Sequence, residues 1–291
     1  CPVPGYDRHF AITEHFGFEL VPVKMNDDGP DMDEVEKLIK DDKVKGIWCV
    51  PKYQNPMGIV FSDEVVRRFA HLKPAAEDFR IFWDNAYCVH NFDGECAEIP
   101  DIIEECQKAG NADLVYEFCS TSKITFPGAG ISAVASSPAN LIDLKAFLKY
   151  ATIGPDKLNQ LQHARFFKSS AGLRLHMKKH ASILKPKFDA VYETLDRELG
   201  DSGIADWTKP TGGYFLSFNT MPGCASKVVK MCADCGVKFT PAGSTYPHGI
   251  DPEDRNIRLA PSFATVEEIT KAITILSLCT KIVTIDKMLK E

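Results

Sequence analysis

The chain has 291 residues, of which 44% are hydrophobic, and its 34 basic and 40 acidic residues give a formal net charge of −6. This length can bury the core of one large or two ordinary domains, and the lack of a basic run argues against a nucleic-acid partner. The sequence has no run of about eighteen apolar residues, and "CPVPGYDRHF" lacks the charged start and apolar centre of a signal peptide. We therefore expect a cytoplasmic protein without a membrane partner.

The first half of the chain alternates short apolar runs with amphipathic helical patterns. Strands are predicted at 18–23, 45–51, 79–84, 114–120 and 130–137, and helices at 31–42, 62–72 and 99–110. Such alternation is typical of a mainly parallel sheet covered by helices on both faces. The predicted fold class is therefore α/β, with three layers.

After residue 137 the pattern changes to long helical segments. Helices are predicted at 140–152 and 158–199, followed by strands at 212–218, 237–243 and 256–263, a helix at 224–236, and a final helix from Thr265. The last hundred or so residues thus indicate a smaller α+β domain. We predict a large domain at 1–165 and a small C-terminal domain, with the inter-domain helix, at 166–291.

The cysteines and the paired histidines are predicted to be structural rather than metal-binding. Ten cysteines are scattered through predicted strands and helices, which favours free thiols. Cys232 and Cys235 form a lone CxxC in an ordinary helix that Gly236 closes, without a second pair of ligands. His176 and His180 have helical i, i+4 spacing and no acidic partner, so we predict them to be surface positions on a basic helix.

Polar side chains follow three successive predicted strands. Asn55 lies in a turn after the second strand, Asp84 ends the third and leads to Tyr87, and Lys123 follows the fourth. The carboxyl ends of parallel strands meet at one edge of a sheet, where ligands bind. An amine held near a carboxylate and a phenol is what a pyridoxal phosphate enzyme requires, since the lysine forms a Schiff base with the cofactor and the aspartate pairs with its ring nitrogen.

The motifs "NPMG", "DNAY", "STSK" and "RLAPSF" occur in the order found in the fold-type I, or aspartate aminotransferase, superfamily of pyridoxal phosphate enzymes, which the chain resembles. The segments "STSKITFPGAG" and "TIGPDKLNQ" are similar to the MocR-type aminotransferase branch. By this resemblance Lys123 bonds to the cofactor and transfers the substrate proton, and Asp84 keeps the ring nitrogen protonated. Tyr87 and Asn55 would hydrogen-bond the phenolic oxygen of the cofactor.

The resemblance also implies residues for the phosphate and for the substrate. Ser120 and Ser122 are candidates for the phosphate group. Arg258 would bind the substrate α-carboxylate, because a guanidinium offers two parallel hydrogen bonds. The alternative for Arg258 is a surface ion pair with Asp254.

Two departures from the family pattern bear on the cofactor site. Many relatives carry an arginine soon after the lysine that holds the cofactor phosphate, whereas this chain reads "FPGAGIS" there. We expect Thr152 or Lys157 to supply the missing contact, from a neighbouring subunit of a homodimer. Relatives also have a preceding segment with a phosphate-binding turn and a stacking aromatic ring, so we expect this sequence to be incomplete at its N-terminus.

The resemblance implies a ping-pong aminotransferase that exchanges an amino group between aspartate, or a similar amino acid, and 2-oxoglutarate. The same lysine and aspartate serve lyases and decarboxylases on this fold. A second alternative is the cofactor- or amino-acid-sensing domain of a MocR-type transcription regulator, and a third is an inactive remnant.

Overall fold

The computed structural model describes residues 1–94 and 97–290. Its strands, in chain order, are β1 (Pro2–Val3), β2 (Val23–Asn26), β3 (Gly29–Pro30), β4 (Gly46–Cys49), β5 (Arg80–Asp84), β6 (Val115–Ser120), β7 (Ser132–Ser136), β8 (Ala205–Trp207), β9 (Leu216–Thr220) and β10 (Asn256–Leu259). Its α-helices are α1 (Asp7–His15), α2 (Met32–Leu38), α3 (Asp63–Ala70), α4 (Ile102–Lys108), α5 (Pro138–Ala151), α6 (Lys157–Phe167), α7 (Ser170–Leu199), α8 (Ala225–Asp234) and α9 (Val266–Met288).

Most of these helices begin where the sequence supplies an N-terminal cap. At each, a side-chain oxygen accepts a backbone N–H of the first turn, which satisfies a donor that has no partner within the helix. The capping residues are Asp31, Ser62, Asp101, Ser137, Asp156, Ser169 and Thr265. Local sequence therefore determines these starts.

The largest sheet has the order β4-β5-β6-β7. Strands β4, β5 and β6 are parallel, and β7 runs antiparallel to β6. Alternate residues of β5 are buried, with Ile81 and Trp83 fully inside. They pack with the apolar faces of α2, α3 and α4 in one core cluster. Burial of this apolar surface stabilises the sheet and fixes its carboxyl edge, at which β5 ends in Asp84.

A second core cluster lies in the C-terminal part of the chain. Here α7, α8 and α9 pack together, and β8, β9 and β10 form an antiparallel sheet. Phe188, Leu195 and Phe218 are fully buried in this cluster. The predicted combination of a mainly parallel α/β sheet with a smaller C-terminal α+β part is confirmed. The predicted boundary between residues 165 and 166 falls inside α6 and stays a prediction.

Two predicted strands are wrong. The predicted strand at 18–23 begins only at Val23, and Phe18 and Val21 are exposed. The segment at 237–243 pairs with no strand in the described ranges, because the N–H of Val237 donates instead to the Cys232 carbonyl and closes α8. Strand β8, which was not predicted from the sequence, pairs with β9 on the side opposite β10.

Within residues 1–94 and 97–290, none of the helices combines the length and the apolar composition needed to cross a lipid bilayer.

Candidate active site

Lys123 lies in the turn that follows β6. The Thr121 carbonyl accepts the N–H groups of Ile124 and Thr125 and closes the turn at 2.9 and 2.8 Å. The Lys123 carbonyl itself accepts the His90 ring N–H at 3.2 Å and the Tyr214 hydroxyl at 3.1 Å. Because its backbone is held by side chains from two other segments, the lysine is fixed in position at the sheet edge.

The Lys123 amine is in a partly desolvated place. Its nitrogen lies 4.9 Å from the centre of the Tyr87 ring. Burial lowers the pKa of the Lys123 amine below its ordinary value, and the nearby charge of Asp84 partly opposes that shift. A lysine in this setting is neutral more often than one on the surface, which suits it to nucleophilic attack and proton transfer.

Asp84 ends β5 and accepts a hydrogen bond from His9 at 3.0 Å. Its side chain is 25% exposed, so the protein encloses it only in part. His9 is buried and stacks on Trp48, with ring centres 4.3 Å apart. Stacking on Trp48 fixes the orientation of the His9 ring and therefore the direction of its hydrogen bond to Asp84. His9 was not predicted from the sequence, although "YDRH" is a polar cluster at the start of a helix.

Tyr87 and Asn55 are both buried at this edge. Burial, followed by the negative charge of Asp84, raises the pKa of the Tyr87 phenol above its ordinary value, so the phenol stays protonated and can donate a hydrogen bond. Asn55 is 2% exposed, and its side-chain oxygen accepts a hydrogen bond from Arg258 at 3.2 Å. The residues predicted from three successive strands therefore come together with a residue from the C-terminal sheet.

Arg258 lies on β10 and reaches across to the N-terminal part of the chain. Its Nη1 donates to Asn55 and also to Asp7, each at 3.2 Å, and its guanidinium lies 5.0 Å from the centre of the Phe215 ring. The predicted alternative, a surface pair with Asp254, is wrong. The Asp254 carboxylate instead accepts hydrogen bonds from the backbone and hydroxyl of Ser226, at the start of α8.

The phosphate candidates divide into two groups. Ser120 and Ser122 lie beside Lys123, and the Ser120 hydroxyl oxygen accepts the Ser122 N–H at 3.4 Å. Thr152 and Lys157 are exposed, and the Thr152 hydroxyl donates to the Leu148 carbonyl at the end of α5. Among the described residues, neither of these two side chains contacts a side chain of the site. Their predicted role in phosphate binding stays a prediction.

Histidines surround the Lys123 turn in a way that the sequence analysis did not foresee. The His176 ring donates to the Ile124 carbonyl at 2.8 Å, and the Nε2 atoms of His180 and His176 lie 3.1 Å apart. His176 is therefore not the surface position that was predicted. His163 contacts the hydroxyl groups of Thr121 and Thr125. These contacts join segments that are far apart in the sequence, so the spacing of residues in the sequence does not predict them.

The stability of the protein should fall in acid because of His90. Burial lowers the pKa of His90 from 6.5 to about 4. A histidine that is harder to protonate in the folded state stabilises that state fully above pH 6.5. This stabilisation is lost as the pH falls toward 4, which lowers the free energy of unfolding by up to about 3 kcal/mol. We expect His90→Gln to flatten the pH dependence of the free energy of unfolding in this window, as measured by urea denaturation.

The exposed His15 provides a matched control, and His15→Gln should keep the pH dependence of the parent chain. If the free energy of unfolding changed equally with pH in the His90 variant and in the parent chain between pH 4 and 6.5, His90 would not be the group that destabilises the protein in acid.

The fold and the site define a class of protein: an α/β chain with a desolvated lysine at the carboxyl edge of a mainly parallel sheet, beside a carboxylate and a phenol. Comparison with known proteins identifies the family. The family described as "Aspartate amino-transferase" matches residues 1–291, and the chain belongs to it.

Similar proteins are known at different degrees of relatedness. An aspartate aminotransferase of Corynebacterium glutamicum is 48% identical over 96% of this chain and 65% of its own length. The crystal structure of an aspartate transaminase from the same species matches with a TM-score of 0.96, covering 97% of this chain and 67% of that one. An uncharacterised helix-turn-helix transcriptional regulator of Bacillus subtilis is 27% identical over 93% of this chain and 53% of its own length. The chain thus spans 65% of the length of the aspartate aminotransferase that it resembles.

Proposed function

We propose that this chain carries the active site of a pyridoxal phosphate-dependent aminotransferase that exchanges an amino group between aspartate, or a similar amino acid, and 2-oxoglutarate. The observation that carries the proposal is the partly desolvated Lys123 amine above the Tyr87 ring, with Asp84 near enough to affect its pKa. Membership of the aspartate aminotransferase family and the 48% identical relative of that name support it.

The residues at this edge fit the cofactor. A phosphorylated pyridine aldehyde needs an amine to bond with its aldehyde, a carboxylate for its ring nitrogen and a hydrogen-bond donor for its phenolic oxygen. Lys123, Asp84 and Tyr87 offer these groups, and the Asp84 side chain is partly exposed. When bound, the cofactor supplies an electron sink for negative charge that develops on the substrate carbon. Ser120 and Ser122 would contact the phosphate.

Proton transfer in this proposal falls to Lys123 and Asp84. Once the substrate amine has displaced it from the cofactor, the neutral Lys123 amine would take the proton from the substrate α-carbon and deliver it to the carbon of the former cofactor aldehyde, for which its lowered pKa is suited. Asp84 would hold a proton on the ring nitrogen of the bound cofactor. The hydrogen bond from His9 holds the Asp84 carboxylate in its orientation.

Substrate binding in this proposal falls to Arg258 and Asn55. The guanidinium binds the α-carboxylate with two hydrogen bonds, and the Asn55 side chain, which already accepts from Arg258, holds the guanidinium in place. Arg258 belongs to the C-terminal sheet and Asn55 to the loop after β4, and their hydrogen bond already joins these two parts of the chain at the site.

We also propose that the working protein is a homodimer. Large apolar side chains are exposed on α5 and α6, among them Phe147, Tyr150 and Leu158. Exposed apolar patches of this kind mark interaction surfaces. Thr152 and Lys157 lie in the same region and would face the cofactor phosphate of the other subunit.

The test is an absorbance spectrum of the purified chain with pyridoxal phosphate, before and after aspartate is added. We expect a visible band that is absent from Lys123→Ala and that aspartate converts to the band of the aminated cofactor. A Lys123-dependent band that aspartate leaves unchanged would contradict the proposed substrate and favour a sensing role. A spectrum in which no band depends on Lys123 would contradict the cofactor site in this chain.

A further inference from the structure

Arg258 is already engaged by a carboxylate of the chain itself. Its Nη1 donates to Asp7 and to Asn55, and its side chain is only 13% exposed, whereas that of Asp7 is 45% exposed. The Arg258 Nε is buried and has no partner among the described residues. An incoming carboxylate must therefore bind at the outer nitrogens, one of which is bonded to Asp7.

The Asp7 carboxylate is held there by a fixed element. Asp7 is the first residue of helix α1. Gly5, two residues earlier, donates its backbone N–H to the Thr245 carbonyl at 2.7 Å. At the other end of α1, Glu14 lies 3.1 Å from the His248 ring. Helix α1 is thus attached at both ends to the C-terminal part of the chain, which also carries Arg258.

From this geometry we infer that Asp7 is an internal competitor for the substrate carboxylate and sets the affinity of the site. The inference rests on the proposed function, because it takes Arg258 as the residue that binds the substrate carboxylate. Two carboxylates on one guanidinium repel each other, so a ligand must displace Asp7 or bind beside its negative charge. The competition weakens the binding of amino-acid and 2-oxo-acid substrates alike.

The experiment is calorimetric titration of the cofactor-loaded chain with succinate, a dicarboxylate that has no amino or oxo group to react. We expect Asp7→Asn, which keeps the shape of the side chain and removes its charge, to lower the dissociation constant of succinate about two- to five-fold, because half-exposed ion pairs are weak. In kinetics, the change should fall on the KM values of both substrates rather than on kcat. Asp7→Ser is a second uncharged variant that provides the same readout.

Asp33→Asn is a matched control, since Asp33 also lies in the first turn of a helix and pairs with an arginine, Arg68. It should leave the succinate affinity unchanged. An unchanged or higher dissociation constant in both Asp7 variants would overturn the inference while leaving the proposed function intact. The proposed function fails separately if Arg258→Gln binds succinate as tightly as the parent chain does.

Discussion

Replacing Lys123 with alanine is expected to lower kcat/KM for aspartate by about 10²- to 10⁴-fold, the range typical of a lost proton-transfer group. The alanine has no amine to bond with the cofactor or to move the substrate proton. The measurement is the initial rate of 2-oxo-acid formation from aspartate at saturating pyridoxal phosphate. The loss should appear in kcat, because Lys123 is not proposed to bind the substrate carboxylate.

Lys40→Ala is the control for this variant. Lys40 is an exposed lysine just after α2 and has no part in the proposed site, so this variant should keep the activity of the parent chain. Lys157→Ala is a separate test, because unchanged cofactor affinity in that variant would remove Lys157 from the predicted phosphate site. A Lys123→Ala protein with the activity of the parent chain would contradict the assignment of the lysine.

Replacing Asp84 with asparagine is expected to lower kcat by about 10²- to 10³-fold, the size of effect seen when one preorganised electrostatic partner is lost. An amide cannot hold a proton on the ring nitrogen as a carboxylate does, so charge on the substrate carbon is less stabilised. The shape of the side chain and its hydrogen bond from His9 can persist. The measurement is the single-turnover rate of the aspartate half-reaction.

Asp78→Asn provides the comparison for Asp84. Asp78 pairs with Lys45 on the surface just before β5, so its loss should change the rate little. If Asp84→Asn reacted at a rate within a few-fold of the Asp78 variant, Asp84 could not be the partner of the ring nitrogen.

Three of the site residues that were predicted from the sequence lie where a local pattern ends. Asp84 and Lys123 follow strands whose apolar runs are plain in the sequence, and Asn55 lies in a turn that Pro56 and Gly58 mark. In a parallel sheet such ends meet at one edge, so the topology alone brings these side chains together.

The contacts that connect distant segments were not predictable. Asp7 and Arg258 are at opposite ends of the chain, yet they share a hydrogen bond. His9 supports Asp84, and His90 and Tyr214 support the Lys123 backbone, although no spacing in the sequence connects these residues. The strand predicted at 237–243 was wrong for a related reason, because its residues complete a helix end rather than pair with a sheet.

The sequence by itself determined the α/β class, most of the strands and helices of the large sheet, the capped helix starts and the positions of Lys123 and Asp84 at or just after the ends of predicted strands. These depend on short-range periodicity and capping, which act within a few residues. Only the tertiary structure decided which groups meet those residues, that Arg258 is paired with Asp7, and that burial shifts the pKa values of Lys123, Tyr87 and His90. Burial and charge proximity depend on segments far apart in the chain, and only packing brings those segments together.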